Sequence, residues 1–138
     1  MLPLERLQVH WAMIVFLALL AGLGLALGFA PWGLWPLPIL GAGLFTWLVA
    51  GRGPWTGFGI GMLSGCTIWW VGAQAGPVVW VLVVVMAVWV GLIGIASSLI
   101  TRLSGWCLLV PLAWSAAEYG AERIPFGGFP WLRLGYTT

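Results

Sequence analysis

Apolar positions in this chain come in stretches too long for any single element of a soluble domain. Between Leu7 and Gly51 there is no Asp, Glu, Lys or Arg, and the same holds from Gly53 to Thr101. Drawn as one helix at 1.5 Å per residue, each stretch would reach roughly 70 Å, about twice the ~30 Å hydrocarbon core of a bilayer. Each must therefore fold back once. The first break is Pro31-Trp32-Gly33-Leu34-Trp35-Pro36-Leu37-Pro38, where prolines and a glycine interrupt the helix and two Trp suit a membrane–water interface. The second is Gly72-Ala73-Gln74-Ala75-Gly76-Pro77. The pattern predicts helices near Trp11–Ala30, Leu37–Ala50, Thr56–Val71 and Val78–Ile100. A shorter fifth helix follows Arg102 and Gly105, from Trp106 to about Gly120. The β-branched run Val78 to Val85 would read as a strand in water, but the unbroken apolar length decides for a membrane helix.

Composition strengthens this picture. Hydrophobic residues make up 62% of the 138 and charged residues only 6%, with a mean hydropathy of +1.09. Soluble domains carry about a quarter charged residues. The expected class is an all-α polytopic membrane protein of about five transmembrane helices. A secretory leader over Leu4–Ala30 is the competing reading of the first apolar stretch. It is too long for that role, and more spans follow, so a retained helix is expected. With the N-terminus cytoplasmic, Arg6, Arg52 and Arg102 lie inside, and Arg123 and Arg133 outside. Short turns carrying one Arg each favour that orientation, which leaves the C-terminal tail on the outer face.

The net charge of +2 is scattered, which excludes a nucleic-acid surface. His10 is the only His, so a His-based metal site is not expected. Cys66 and Cys107 sit in apolar runs as small hydrophobes. Gly57, Gly61 and Gly65 repeat every four residues in the third helix, a spacing that lets a neighbouring backbone approach closely. Ordinary helix packing is the reading preferred for them over a glycine-lined substrate groove.

The informative segment is the tail. Trp114 and Glu118 are four residues apart and share one helix face. A carboxylate at the end of a span needs a partner or water, and Arg123 and Arg133 are at hand. Gly127-Gly128-Phe129-Pro130-Trp131 cannot be helical throughout, because the glycines loosen the backbone and Pro130 holds Phe129 extended. An interfacial aromatic anchor is the plainer explanation of this segment. The layout divides into a transmembrane region, 1–120, and an outer-face aromatic loop, 121–138.

Glu118 followed by Pro125-Phe-Gly-Gly-Phe-Pro-Trp131-Leu-Arg133-Leu-Gly-Tyr136 resembles the signature loop of the apolipoprotein N-acyltransferases. The first hairpin, Leu25 to Pro36, and Ile68-Trp69-Trp70 leading to Gly76-Pro77 match the N-terminal region of that family in the same order. The resemblance implies a protein of the bacterial cytoplasmic membrane with a nitrilase-like domain on the outer face. There a Glu–Lys–Cys triad takes an acyl chain from a phospholipid as a thioester. It passes the chain to the amino group of a lipoprotein's diacylglyceryl-Cys. The resemblance also points to Trp131 as lying near the lipid-facing entrance, with Phe129, Pro130, Arg123, Glu118, Arg133 and Tyr136 as further lipid-facing candidates.

One departure is decisive. The chain has no Lys, so that triad cannot be assembled from these residues, and no catalytic residue or cofactor is expected in it. Where the family has an Arg shortly after the Glu, the third residue on from Glu118 is Ala121, and Arg123 is the candidate replacement. The expectation is the N-terminal membrane part of such an enzyme, truncated or split, inactive alone and positioning a phospholipid donor and a diacylated lipoprotein acceptor. A separate chain could supply the nitrilase-like domain. The alternative is a non-enzymatic membrane module, a small transporter or assembly subunit. It is weakened because, Gln74 aside, the polar side chains in the spans are only Ser and Thr.

Overall fold

The computed structural model describes residues 11–29, 32–72 and 79–124. Within them the chain forms five helices and no strand: α1 Trp11–Ala26, α2 Pro36–Val49, α3 Pro54–Gly72, α4 Val79–Ile100 and α5 Trp106–Ala121. Four of the five follow the expected segments to within a residue or two at each end. The exception is α1, which stops four residues before Ala30. There the backbone turns over, with the Phe29 N–H donating to the Ala26 carbonyl and the Trp32 and Gly33 N–H groups to the Phe29 carbonyl. Gly28 and the approach to Pro31 weaken the helix at this point. Gly33, at φ +58°, then makes a bend that other residues resist. The proline cluster is not wholly a turn. Pro36 and Pro38 open α2, where the first N–H groups have no helical partner to lose.

The centre of the fold is the α3–α4 pair, the most closely packed in the molecule. A side chain on Gly57 would run into the Gly94 carbonyl, and one on Gly61 into the Val90 carbonyl. A Cβ on Gly65 would sit 2.8 Å from the Ala87 Cα. The two backbones are thus nearly touching, an approach that dispersion and weak contacts favour and that any larger residue would prevent. The opposite side of α3 meets α1. Ser64 Oγ donates to the Ala18 carbonyl at 2.8 Å, and a Cβ on Gly22 would strike the Ser64 carbonyl. Next in line, α1 packs on α2, with Gly41 against the Ala21 carbonyl.

Both short connections lie at the same end. After α2, Gly51 takes a left-handed φ of +70°, and the Arg52 side chain returns to the Leu48 carbonyl that the helix leaves open. Arg102, in the α4–α5 turn, donates to the Arg52 carbonyl at 2.8 Å and ties the two turns together. Partial burial pulls the Arg52 pKa below its ordinary value.

Small and branched side chains, among them Ala18, Leu25, Leu48, Ile60 and Ile93, fill the interior together with the Phe45 ring. The outside is equally apolar: Trp55 is 81% exposed, Leu108 80% and Trp11 71%, with Phe16, Val81 and Leu112 exposed beside them. Patches this extensive are rare on proteins that face only water. Among the described residues one helix, α4 over Val83–Ile100, is long and apolar enough to cross a membrane. Trp11–Ala26 and Pro36–Val49 are apolar but shorter.

Candidate functional site

The last helix attaches differently from the others. α5 packs lightly on α4, and towards α2 its Trp114 ring meets that of Phe45. The Phe45 and Trp114 rings stand edge to face, centroids 5.4 Å apart and planes at 75°, an arrangement favoured by the aromatic quadrupoles. Beside that contact a groove of about 1040 Å³ is lined by residues of α2 and α5.

The groove follows from the spacing of small and large residues. On α5 it is lined at one-turn intervals by Cys107, Val110, Trp114 and Glu118, the stripe that residues three and four apart make on a helix. On α2 the facing positions are Ala42, Gly43, Thr46 and Trp47. A Cβ on Gly43 would meet nothing within 4 Å, so the missing side chain leaves open space. Pro111, also in the lining, has no N–H to give the Cys107 carbonyl and loosens α5 at its middle. The Ser115 hydroxyl turns back to the Pro111 carbonyl at 3.1 Å, as Thr46 Oγ1 does to that of Ala42 at 2.8 Å. The Ser115 and Thr46 hydroxyl protons are therefore already engaged.

One donor is not. Trp114 is buried, 9% exposed, and its indole Nε1 has no hydrogen-bond partner among the described residues. Leaving a buried N–H unmatched is unfavourable by roughly 1–3 kcal/mol, so its retention asks for an explanation.

The groove ends near Glu118 and Tyr119. Just beyond, the Arg123 guanidinium lies 3.4 Å from the centre of the Tyr119 ring, and its Nη1 donates to the Tyr119 carbonyl at 3.1 Å. Glu122 is 4.0 Å away, a loose ion pair in which the Arg123 side chain is exposed and that of Glu122 largely covered. A cation over an aromatic face near an apolar groove can meet an anionic group while the groove holds a hydrocarbon.

The structure therefore puts Glu118 in the groove, one turn from Trp114, and Arg123 at its end. Phe129, Pro130, Trp131, Arg133 and Tyr136 lie outside the described residues. Gly57, Gly61 and Gly65 are at the α3–α4 seam, away from the groove. Sequence reasoning paired Trp114 with Glu118 but did not find Cys107, Val110, Thr46 or Gly43 around them. The three-and-four spacing of α5 was visible, whereas the partner wall on α2 was not. Cys66 and Cys107 are both free thiols. Among the described residues no group of His, Cys, Asp and Glu could hold a metal ion.

Comparison with known proteins gives this arrangement a context. Residues 21–138 match the family described as apolipoprotein N-acyltransferase N-terminal domain. A protein named apolipoprotein N-acyltransferase from Geobacter metallireducens is 29% identical over 143 aligned residues, covering 88% of this chain. The chain spans about a quarter of the length of that relative, 26%.

Proposed function

This chain belongs to the apolipoprotein N-acyltransferase N-terminal domain family, and from that premise we propose that it is the membrane-embedded part of such an enzyme. Its five helices cross the bacterial cytoplasmic membrane, with the N-terminus inside and the segment after α5 on the outer face. Its task is to bring lipid substrates to acyl-transfer chemistry, a positioning role. The observation that carries this reading is the family match over residues 21–138, together with an apolar groove that runs along α5 to Glu118 and Arg123.

In the complete reaction a thiolate attacks the ester carbonyl of a phospholipid, and a thioester and a lysophospholipid form. The amino group of a diacylated lipoprotein then displaces the thiol and keeps the acyl chain as an amide. None of that bond-making is assigned to residues 1–138. This chain contains no Lys, so no Glu–Lys–Cys triad is assembled from it, and we assign that triad to a nitrilase-like domain, as the family resemblance implies. Trp131, Phe129, Pro130, Arg133 and Tyr136 form the aromatic and cationic edge across which lipid reaches that domain, with Glu118 and Arg123 at its base.

A chimera tests the proposal. Residues 21–138 replace the matching stretch of the Geobacter metallireducens relative, and acyl transfer to a diacylated lipopeptide is measured in membranes. The chimera is expected to insert and to transfer acyl chains, and Trp131→Ala in it to slow thioester formation at least tenfold without changing insertion. An inserted chimera with no transfer, or a Trp131→Ala variant of unchanged rate, would overturn it. Labelling of a cysteine placed at Arg133 from the cytoplasmic side would overturn the orientation.

A further inference from the structure

Positive charge gathers at the end of the bundle away from Glu118. Arg52 and Arg102 lie in the α2–α3 and α4–α5 turns, and the Arg102 guanidinium donates to the Arg52 carbonyl at 2.8 Å. The second cation is thus fastened to the residue that carries the first. A guanidinium has five N–H donors, and each of these gives one to a carbonyl, Arg52 to that of Leu48 and Arg102 to that of Arg52. Neither meets a carboxylate among the described residues. The acids there, Glu118 and Glu122, stand at the other end of α5, roughly 18 Å of helix from its start. The helix ends do not supply the missing negative charge. α2 and α4 finish at this surface while α3 and α5 begin at it, so their dipoles largely cancel. Arg52 is also partly covered, and desolvation holds its pKa below the ordinary value.

The same end carries exposed tryptophans. Trp11 opens α1, Trp47 lies in the last turn of α2, Trp55 follows the first residue of α3 and Trp106 opens α5, and all four side chains are exposed. Trp favours the level of a bilayer where hydrocarbon gives way to headgroups, so these rings set the two guanidinium groups at the depth of lipid phosphates. We infer that Arg52 and Arg102 form a binding site for the phosphate of one anionic membrane lipid, in the leaflet opposite to the one where acyl transfer is proposed. Two oxygens of a phosphodiester match the fork of a guanidinium. A headgroup with no cation of its own offsets the charge of the two turns, whereas a zwitterionic headgroup offsets little of it. This lipid is not the acyl donor, which meets the protein near Glu118 and Arg123. Its phosphate bridges the turns that Arg102 already ties together. A soluble acidic protein fits less well, since the exposed Trp residues on the flanking helices hold these turns against lipid rather than water. The inference rests on the proposed membrane role and adds a headgroup selectivity on its cytoplasmic side.

The experiment gives the full chain, in non-ionic detergent micelles, phosphatidylglycerol and phosphatidylcholine with the same acyl chains. Lipid retained per chain is read by native mass spectrometry. Because the chains are identical, binding along the apolar flanks cancels and the ratio reports the headgroup. The wild type should keep phosphatidylglycerol about tenfold better, in the range expected of two cations beside an anionic headgroup. Arg102→Gln should lower the ratio to about threefold, and Arg52→Gln combined with Arg102→Gln to below about twofold. Arg102→Lys keeps the charge without the fork and should fall between the wild type and Arg102→Gln. A wild-type ratio near one overturns the inference. So does a ratio that survives both substitutions, or Arg102→Lys at the wild-type ratio, which would mean general charge rather than a site. Displacement of phosphatidylglycerol by inorganic phosphate or by a hexaglutamate peptide, at fixed ionic strength, would give the pair to a free anion or to a protein partner and overturns lipid occupancy. Should the double variant fail to fold, Arg102→Gln decides, because that side chain is exposed. Loss of the preference in a chain that inserts and supports transfer in the chimera removes this inference alone, whereas failure to insert removes the membrane role itself.

Discussion

The α3–α4 seam and the α2–α5 flank use the same small residues to opposite ends. At the seam, Gly57, Gly61 and Gly94 are spaces that a facing backbone fills. At the flank, Gly43 is a space that nothing fills. In the first case the missing side chains are exchanged for close contact along two helices. In the second they leave a groove beside the edge-to-face rings of Phe45 and Trp114. A glycine in an apolar helix therefore says little by itself, and the facing element decides whether it serves cohesion or access.

Four substitutions test that contrast by thermal unfolding in micelles. Gly61→Leu should be the most damaging, destabilising by about 3 kcal/mol or more, because the Val90 carbonyl occupies the space its Cβ needs. An unfolding temperature near that of the wild type would mean that α3 and α4 are not in close contact. Ser64→Ala comes next, at about 1 kcal/mol, through loss of its hydrogen bond to the Ala18 carbonyl. The α1–α3 contact is less specific than described if no loss appears. On the flank, Arg123→Ala should cost about 0.5 kcal/mol, since its stacking on Tyr119 is solvent-exposed. Gly43→Ala should be nearly neutral, within about 0.5 kcal/mol of the wild type. A large loss there would show that the groove closes on itself.

Much of the helical layout could be read from charge-free lengths and proline positions. The two apolar runs had to fold back, and the Pro31–Pro38 and Gly72–Pro77 segments were the only places with the residues to do so. Ends were less legible. That α1 stops at Ala26 depends on a backbone turn closed by Leu34 donating to the Leu27 carbonyl, a contact that neither residue announces. The candidate site was legible in part. Glu118 and Arg123 stood out because charges are rare in this chain, and Trp114 because of its spacing from Glu118. The α2 wall carried no such signal, since Ala42, Gly43 and Thr46 look like any other small positions of a membrane helix.

Periodicity, charge and local backbone preference act over a few residues, so the sequence alone determines that this chain is helical, where its long apolar runs must break, and which few polar groups stand apart in an apolar background. Which helix faces which is settled by shape fitting between segments up to some seventy residues apart in the chain, Phe45 and Trp114 being one such pair. Only the tertiary structure therefore decides that α3 lies between α4 and α1. It alone decides that α2 and α5 line a groove, and that a buried indole N–H has no partner among the described residues.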